Sequence, residues 1–341
     1  MIYSGLKIEE LGNSHIVQSL LDQFHLPKDF EPEQGYSSHW KDRSSRSLIK
    51  VESGVFTQIQ GEGFGNFSTP PGWSNKLMGL LNYLSYAPAL IWVFPKFFLA
   101  LYHLRKAGIG LLTYDSLRQA ALAANLAKWI GKIGISPKQI CMIGDGYGVL
   151  GFLLKQIYPK SKITFIDIGN TLTFCSIFIG KNFNNNSFSL LGPSSTKMRE
   201  KNNSPEVDSS DFCFIPAENI RSIELNARFD LFINVASMQE MTPFWISWYF
   251  EFIRKHKSSK SAFYCCNREY KTLPGGEELI FEKYPWDARD KIIFDEEPRF
   301  YRWFFSRELG RKNYLVFGIP IPFMKSFDGR LKHRLLLLNS P

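Results

Sequence analysis

The segment from Gln139 to Ile168 limits the fold more than any other part of the chain. Ile140-Cys141-Met142-Ile143 reads as an apolar strand, Gly144-Asp145-Gly146-Tyr147-Gly148 as a glycine loop, and Val149 to Leu154 as the start of an apolar helix. Ile163 to Ile166 form a second apolar run of parallel-strand character, with Asp167 at its carboxyl end. Glycine lets a backbone turn sharply off a strand and approach a ligand closely. The helix N-terminus behind the loop offers unpaired N–H groups and a partial positive charge. A carboxylate at the end of the second strand can accept hydrogen bonds from both hydroxyls of a ribose. Together these parts predict a nucleoside-cofactor site on an α/β sheet.

Two readings of the loop compete. Gly146-Tyr147-Gly148-Val149-Leu150-Gly151 matches the GxGxxG dinucleotide fingerprint. That match needs the strand to continue through Gly144 and Asp145, which are poor strand residues. Counted from Gly144, the third glycine position falls on Val149 and the match fails. The spacing Gly-x-Gly-x-Gly instead resembles the loop of S-adenosylmethionine (SAM) methyltransferases, which binds no pyrophosphate.

Downstream, the alternation continues. A helical segment spans Leu172 to Ile179, strands span Phe212 to Ile215 and Phe229 to Asn234, and Thr242-Pro243 opens a helix from Phe244 to Lys255. A further strand, Ala262 to Cys266, ends in Asn267. Alternating elements of this kind predict a doubly wound, mostly parallel Rossmann-like sheet with ligands at the carboxyl ends of its strands. Gly144, Asp167, Pro216, Asn234 and Asn267 are expected along that edge.

Ile143 to Gly148, Asp167, and Asn234 to Ser237 with Gln239, Glu240 and Met241 resemble the sugar O-methyltransferases of bacterial surface-polysaccharide clusters. Weaker echoes are Tyr264 to Asn267 and Trp40-Lys41-Asp42-Arg43, and the resemblance covers roughly residues 36 to 320. It implies a class I SAM-methyltransferase sheet, SAM as cofactor and a sugar, nucleotide-sugar or glycan acceptor. It also implies cofactor contacts from Gly144, Asp145, Gly146, Tyr147, Gly148, Asp167, Pro216 and Asn234. Met142 departs from a usual Glu that holds the methionine end, and Asp145 departs from a usual Gly and is a candidate substitute. An NAD(P)- or FAD-dependent oxidoreductase and a non-catalytic protein of SAM fold are the competing readings.

Charge and cysteine usage bound the partners. At 341 residues and 44% hydrophobic, the chain can bury one large core plus an extension. The net charge of +9 favours an anionic partner. The cations are scattered and no nucleic-acid motif accompanies them, which argues against nucleic acid. Cys141, Cys175, Cys213, Cys265 and Cys266 sit in apolar runs without a CxxC pair, as expected in a reducing compartment. Met1 to Glu10 lacks a signal-peptide core, so a cytoplasmic protein is expected.

Residues 1–112 read as an N-terminal, mainly helical extension, 113–322 as the SAM-binding domain and 323–341 as a tail. Residues 1–75 are polar and punctuated by Gly61 to Gly65 and Pro70-Pro71-Gly72. Leu77 to Leu101 approaches membrane-spanning length, but Asn82, Ser85, Pro88 and Pro95 favour two packed helices over the sheet or cleft. Peripheral docking on a membrane is the alternative. Asp115 is expected to cap a helix running through Trp129, and the polar stretch from Asn182 to Ser210 to form a surface insertion.

Methyl transfer needs an in-line acceptor and removal of its proton. Glu240, just past a strand and before a capped helix, is the leading base, with a helix-start carboxylate as its equal alternative. His39 and His103 are the other candidates. No metal is expected: the six histidines form no close pair, and Asp287 to Glu297 reads as a solvated charge run. Trp245, Trp248 and Phe252 read as a buried helix stripe.

Overall fold

The computed structural model describes residues 5–24, 37–40, 48–60, 67, 72–192, 210–308 and 311–339. The N-terminal part holds helix α1 (Ser14–Phe24), the antiparallel hairpin of β1 (Leu48–Glu52) and β2 (Val55–Gln60), and helices α2 (Trp73–Leu90) and α3 (Phe94–Lys106). Helix α4 (Tyr114–Lys132) leads into the sheet. Then come β3 (Gln139–Ile143), α5 (Val149–Ile157), β4 (Lys162–Asp167), α6 (Gly169–Asn182), β5 (Phe188–Leu190) and β6 (Phe212–Pro216). The second half adds β7 (Phe229–Val235), α7 (Pro243–His256), β8 (Lys257–Arg268), the pair β9 (Tyr270–Thr272) and β10 (Glu278–Ile280), and β11 (Lys291–Glu296). A three-stranded sheet of β12 (Trp303–Phe305), β13 (Asn313–Val316) and β14 (Ile319–Ser326) precedes the last strand, β15 (Leu331–Leu337).

Eight strands make the main sheet in the order β11-β15-β8-β7-β3-β4-β6-β5. All pairings from β8 through β5 are parallel, and β15 is antiparallel to both β8 and β11. This is the expected doubly wound, mostly parallel Rossmann-like sheet. The chain starts at the centre with β3, runs outward through β4 and β6, then returns to place β7 on the other side of β3. A crevice opens at such a reversal, at the carboxyl ends of the strands. The central strands are buried on both faces, as their unbroken apolar runs require. Helices α4 and α5 pack on one side with the N-terminal elements, while Ile246, Tyr249, Phe250 and Ile253 of α7 close a second core on the other.

Several expectations need correction. Residues 323–341 are no tail, because β15 sits inside the main sheet between β8 and β11. Lys332, His333 and Arg334 masked it: Lys332 and Arg334 pair with Glu282 and Asp295 across the sheet, so cations appear in an interior strand. The supposed solvated run from Asp287 to Glu297 contains β11, whose Asp295 is one of those partners. Thr113, not Asp115, caps α4 by accepting from the Ser116 N–H at 3.1 Å, while Asp115 pairs with Arg118 at 3.0 Å. The polar insertion begins with a short edge strand, β5, and its residues 193–209 lie outside the described residues. The glycine and proline loops at 61–65 and 70–71, and Lys41 to Arg43, also lie outside them. Leu77 to Leu101 does form two helices, joined by a short 3-10 turn at Ile91–Val93.

Candidate functional site

The glycine loop follows β3 directly, as the end of the strand at Ile143 dictates. Gly144, Gly146 and Gly148 have φ of 71°, 63° and 77°, a region that penalises side chains. Packing adds a second reason at two of them. A Cβ on Gly144 would lie 1.9 Å from Ser237 Oγ, and one on Gly148 2.6 Å from Cys175 Sγ. Tyr147 packs edge-on against Phe67 and Phe174.

Two carboxylates organise the loop. Asp167 accepts from the Gly146 N–H at 3.0 Å through Oδ2 and from the Ile168 N–H at 2.9 Å through Oδ1. Burial pushes its carboxyl up to about 8 despite those bonds, and Asp145 and Glu218 nearby push the same way. Asp145 turns toward the start of α5, where Oδ2 accepts from the Gly151 N–H at 2.8 Å. Burial raises it to about 7. Asp145 therefore caps the helix. Met142, where the resembling family carries Glu, is enclosed in the sheet.

Behind the cleft, Asn234 and Asn267 form a buried clamp. Asn234 donates to the Ile143 carbonyl at 2.8 Å and accepts from Met238 N–H at 3.2 Å and Asn267 Nδ2 at 2.8 Å. Asn267 accepts from Gln239 N–H at 3.0 Å, and Gln239 Oε1 from Arg268 N–H at 2.8 Å. The ends of β3, β7 and β8 are thereby tied to the turn Met238–Glu240. Asn234 is fully enclosed with its amide committed, so it holds this turn rather than facing a ligand.

Glu240 leaves that turn into the cleft. Its Oε1 lies 3.3 Å from His39 Nε2 and 3.1 Å from Lys271 Nζ, and Ser37 donates its hydroxyl to the Glu240 carbonyl. Burial pushes the carboxyl up, but hydrogen bonding and charge from His39 and Lys271 outweigh it and hold it below its ordinary value. Thr242, two residues on, caps α7, while the Glu240 carboxylate is engaged by His39 and Lys271. Lys271 escaped the sequence reading because nothing local links β9 to Glu240.

The resulting cleft measures about 930 Å³. Gly144, Asp145, Gly146, Asp167 and Glu240 line it, joined by Trp40 and, on the outer side, by Arg118, Gln119, Arg268 and Tyr301. A narrower apolar slot continues from it between Ile168, Ala217, Glu218, Met241, Trp245 and Tyr249. Trp245 is thus a wall of the slot and not only part of a buried stripe. Tyr147, Gly148, Pro216, Asn234 and His103 line neither space, and His39 reaches the cleft only through Glu240. His103 lies in the last turn of α3, which removes it from the catalytic candidates.

No protein-family model matches the chain, and no curated protein does. Among solved structures, the chain is similar to coclaurine N-methyltransferase bound to N-methylheliamine and SAH, with 11% identity, a TM-score of 0.33 and 52% of each chain covered. A Klebsiella pneumoniae protein assigned as an O-methyltransferase gives 12% identity and a TM-score of 0.39 over 78% of this chain and 100% of its own. TehB from Haemophilus influenzae gives 13% identity and a TM-score of 0.35 over 63% of this chain and 60% of its own. The chain thus spans about half the length of the first of these proteins. Likenesses this distant fix neither a substrate nor a reaction.

Proposed function

We propose that the chain is a SAM-dependent O-methyltransferase whose acceptor is a sugar hydroxyl. The observation that carries the cofactor reading is the Asp145 carboxylate on the Gly151 N–H at the start of α5. A dinucleotide places its pyrophosphate on that helix end. Asp145 already takes the Gly151 N–H there, so that donor is not free for a pyrophosphate. Asp145, Asp167 and Glu240 line the cleft together with Arg118, Arg268 and Arg311, so it offers acids to a cationic group of a ligand and cations to an anionic one.

SAM fits such a lining, because its sulfonium is a cation that makes the attached methyl group electrophilic. Asp167 would hold the ribose hydroxyls, the backbone of Gly144 to Gly146 the methionine half, and the slot beside Ile168 and Tyr249 the adenine. Glu240 is the base proposed for the acceptor proton. As the new C–O bond forms, the acceptor O–H becomes strongly acidic, so even a carboxylate of low basicity can accept its proton. His39 and Lys271 position that carboxylate and keep it ionised.

A hydroxylated acceptor is supported by the outer cleft. Arg118, Gln119 and Arg268 line it. Their polar side chains can donate to or accept from hydroxyl groups. The resemblance at Asn234 to Met241 points the same way.

Thermal unfolding with SAM, S-adenosylhomocysteine and NADH tests the cofactor. The first two should raise the midpoint and NADH should not, since only a ligand of the folded state stabilises it. A shift with NADH alone would overturn the reading. Screening nucleotide-sugars and glycan fragments for S-adenosylhomocysteine release then tests the acceptor.

A further inference from the structure

Helices α2 and α3 leave a large apolar surface outside the core. Trp73, Leu84, Ile91, Trp92, Phe98 and Tyr102 are between 56% and 80% exposed. Contiguous apolar surface of this kind marks an interaction site. The segment Trp73–Lys106 is long and apolar enough to cross a membrane by length and composition. Its inner face forbids crossing. Asn82 donates to the Phe305 carbonyl at 3.0 Å and accepts from the Phe305 N–H at 2.7 Å. Tyr86 stacks on Trp303 at 4.6 Å, and a Cβ on Gly79 would meet the Leu112 carbonyl at 2.4 Å. One side of the helix pair is therefore fixed to the protein and the other faces outward.

Charge identifies the occupant. The 34 residues Trp73–Lys106 contain Lys76, Lys96, Arg105 and Lys106 and no Asp or Glu. All four cations are exposed, and the half-buried Lys128 of α4 lies beside the Trp92 ring at 5.9 Å. Trp and Tyr at the edge of an apolar face, rimmed by Lys and Arg, are the chemistry of the lipid headgroup boundary.

We propose that this face docks the protein on an anionic membrane surface, with the helix pair lying in the interface plane. Trp73, Leu84, Ile91, Trp92, Phe98 and Tyr102 enter the apolar boundary, and the cations engage lipid phosphates. The inner face of α2 walls the cleft through Asn75, Met78, Gly79 and Asn82. Docking therefore brings the outer cleft close to the lipid surface. The proposal does not depend on the methyltransferase reading, because it is read without any cofactor.

The test is co-sedimentation of the full chain with vesicles of phosphatidylcholine alone or mixed with phosphatidylglycerol. Binding should require the anionic lipid and weaken with added salt. The triple variant Leu84→Ser, Trp92→Ser, Phe98→Ser changes exposed positions, and its fold is checked by its thermal midpoint. It should lose binding by about tenfold or more. Lys76→Gln and Lys96→Gln should each weaken it by about fivefold. Absence of wild-type sedimentation with anionic vesicles would overturn the proposal, as would sedimentation unaffected by either set of variants. A wild-type dimer in light scattering that the triple variant converts to monomer would also overturn it, by assigning the face to a second copy.

Discussion

Cofactor binding should be coupled to a proton at Asp167. Burial holds this carboxyl at about 8 in the free protein. An acid with that pKa is about 1% ionised at pH 6, about 10% at pH 7 and half at pH 8. Hydroxyl donors and a neighbouring cation favour the ionised form, so the bound carboxyl should titrate far lower. Apparent affinity then scales with the competent fraction, rising about fiftyfold between pH 6 and pH 8, or about 2 kcal/mol. The cofactor's own amine also titrates in this range, at roughly 8. It does so equally with wild type and Asp167→Asn, so the ratio of their affinities isolates the carboxyl. Titration calorimetry at pH 7.5 in two buffers of different ionisation enthalpy should register release of about 0.75 proton in wild type beyond that seen in the variant. An affinity ratio that stays within about threefold from pH 6 to pH 8, without that extra proton, would refute the assignment of Asp167 to the cofactor.

Other outcomes follow from the same geometry. Gly146→Ala should abolish SAM binding and cost about 1–2 kcal/mol of stability, because any side chain at φ 63° is strained, and the β-branched Gly146→Val should cost more; calorimetry on ligand and on unfolding reads the two effects separately. Glu240→Gln should keep SAM affinity and lower turnover by about a hundredfold on a confirmed acceptor, and full activity would dismiss it as the base. Because Glu240 is held below its ordinary value, wild-type turnover should show no carboxylate limb above pH 5. Lys271→Met should create one, with activity falling as the pH drops. For stability, Asp145 and Asp167 have folded pKa values raised to about 7 and about 8, so the folded state binds more protons than the unfolded and stability falls as pH rises toward 8. His103, His256 and His333 are lowered and act oppositely, but only below roughly 6.5, their unfolded value. The calorimetric midpoint should therefore fall from about pH 7 to 8.5, and less so with saturating SAM; a rising midpoint would contradict the buried carboxyls.

What could be read from the sequence was what local chemistry enforces. The strand before Gly144, the positive-φ glycines and the carboxylate closing β4 repeat a pattern in which each residue type is required by its neighbours in sequence. Thr242-Pro243 was legible for the same reason. The unread parts depend on partners far along the chain. β15 looked polar because Arg334 finds Asp295 and Glu282 only when β11 and the turn after β10 are in place. Lys271 meets Glu240 across 31 positions, and Ser37 meets its carbonyl across 203.

Asp145 shows how such a partner can reverse the chemistry of a motif. Read in sequence, an acid within a glycine loop is as plausible a ligand contact as it is a cap, and Gly146 to Gly151 still spells a dinucleotide fingerprint. The cap becomes visible only when the carboxylate is seen on the Gly151 N–H. The third glycine of the fingerprint is there, packed so closely on the Phe165 ring that a Cβ would stand 2.4 Å from it. That satisfies the demand for close helix–strand packing. It does not supply the phosphate site. At this helix end the Gly151 N–H is taken by an internal carboxylate and is lost to an anion. The same burial that raises Asp145 and Asp167 above neutrality's usual carboxylate range stores a demand for positive charge in the cleft. A cation bound there lets both acids ionise, so the ligand's charge and the buried carboxylates are compensated together.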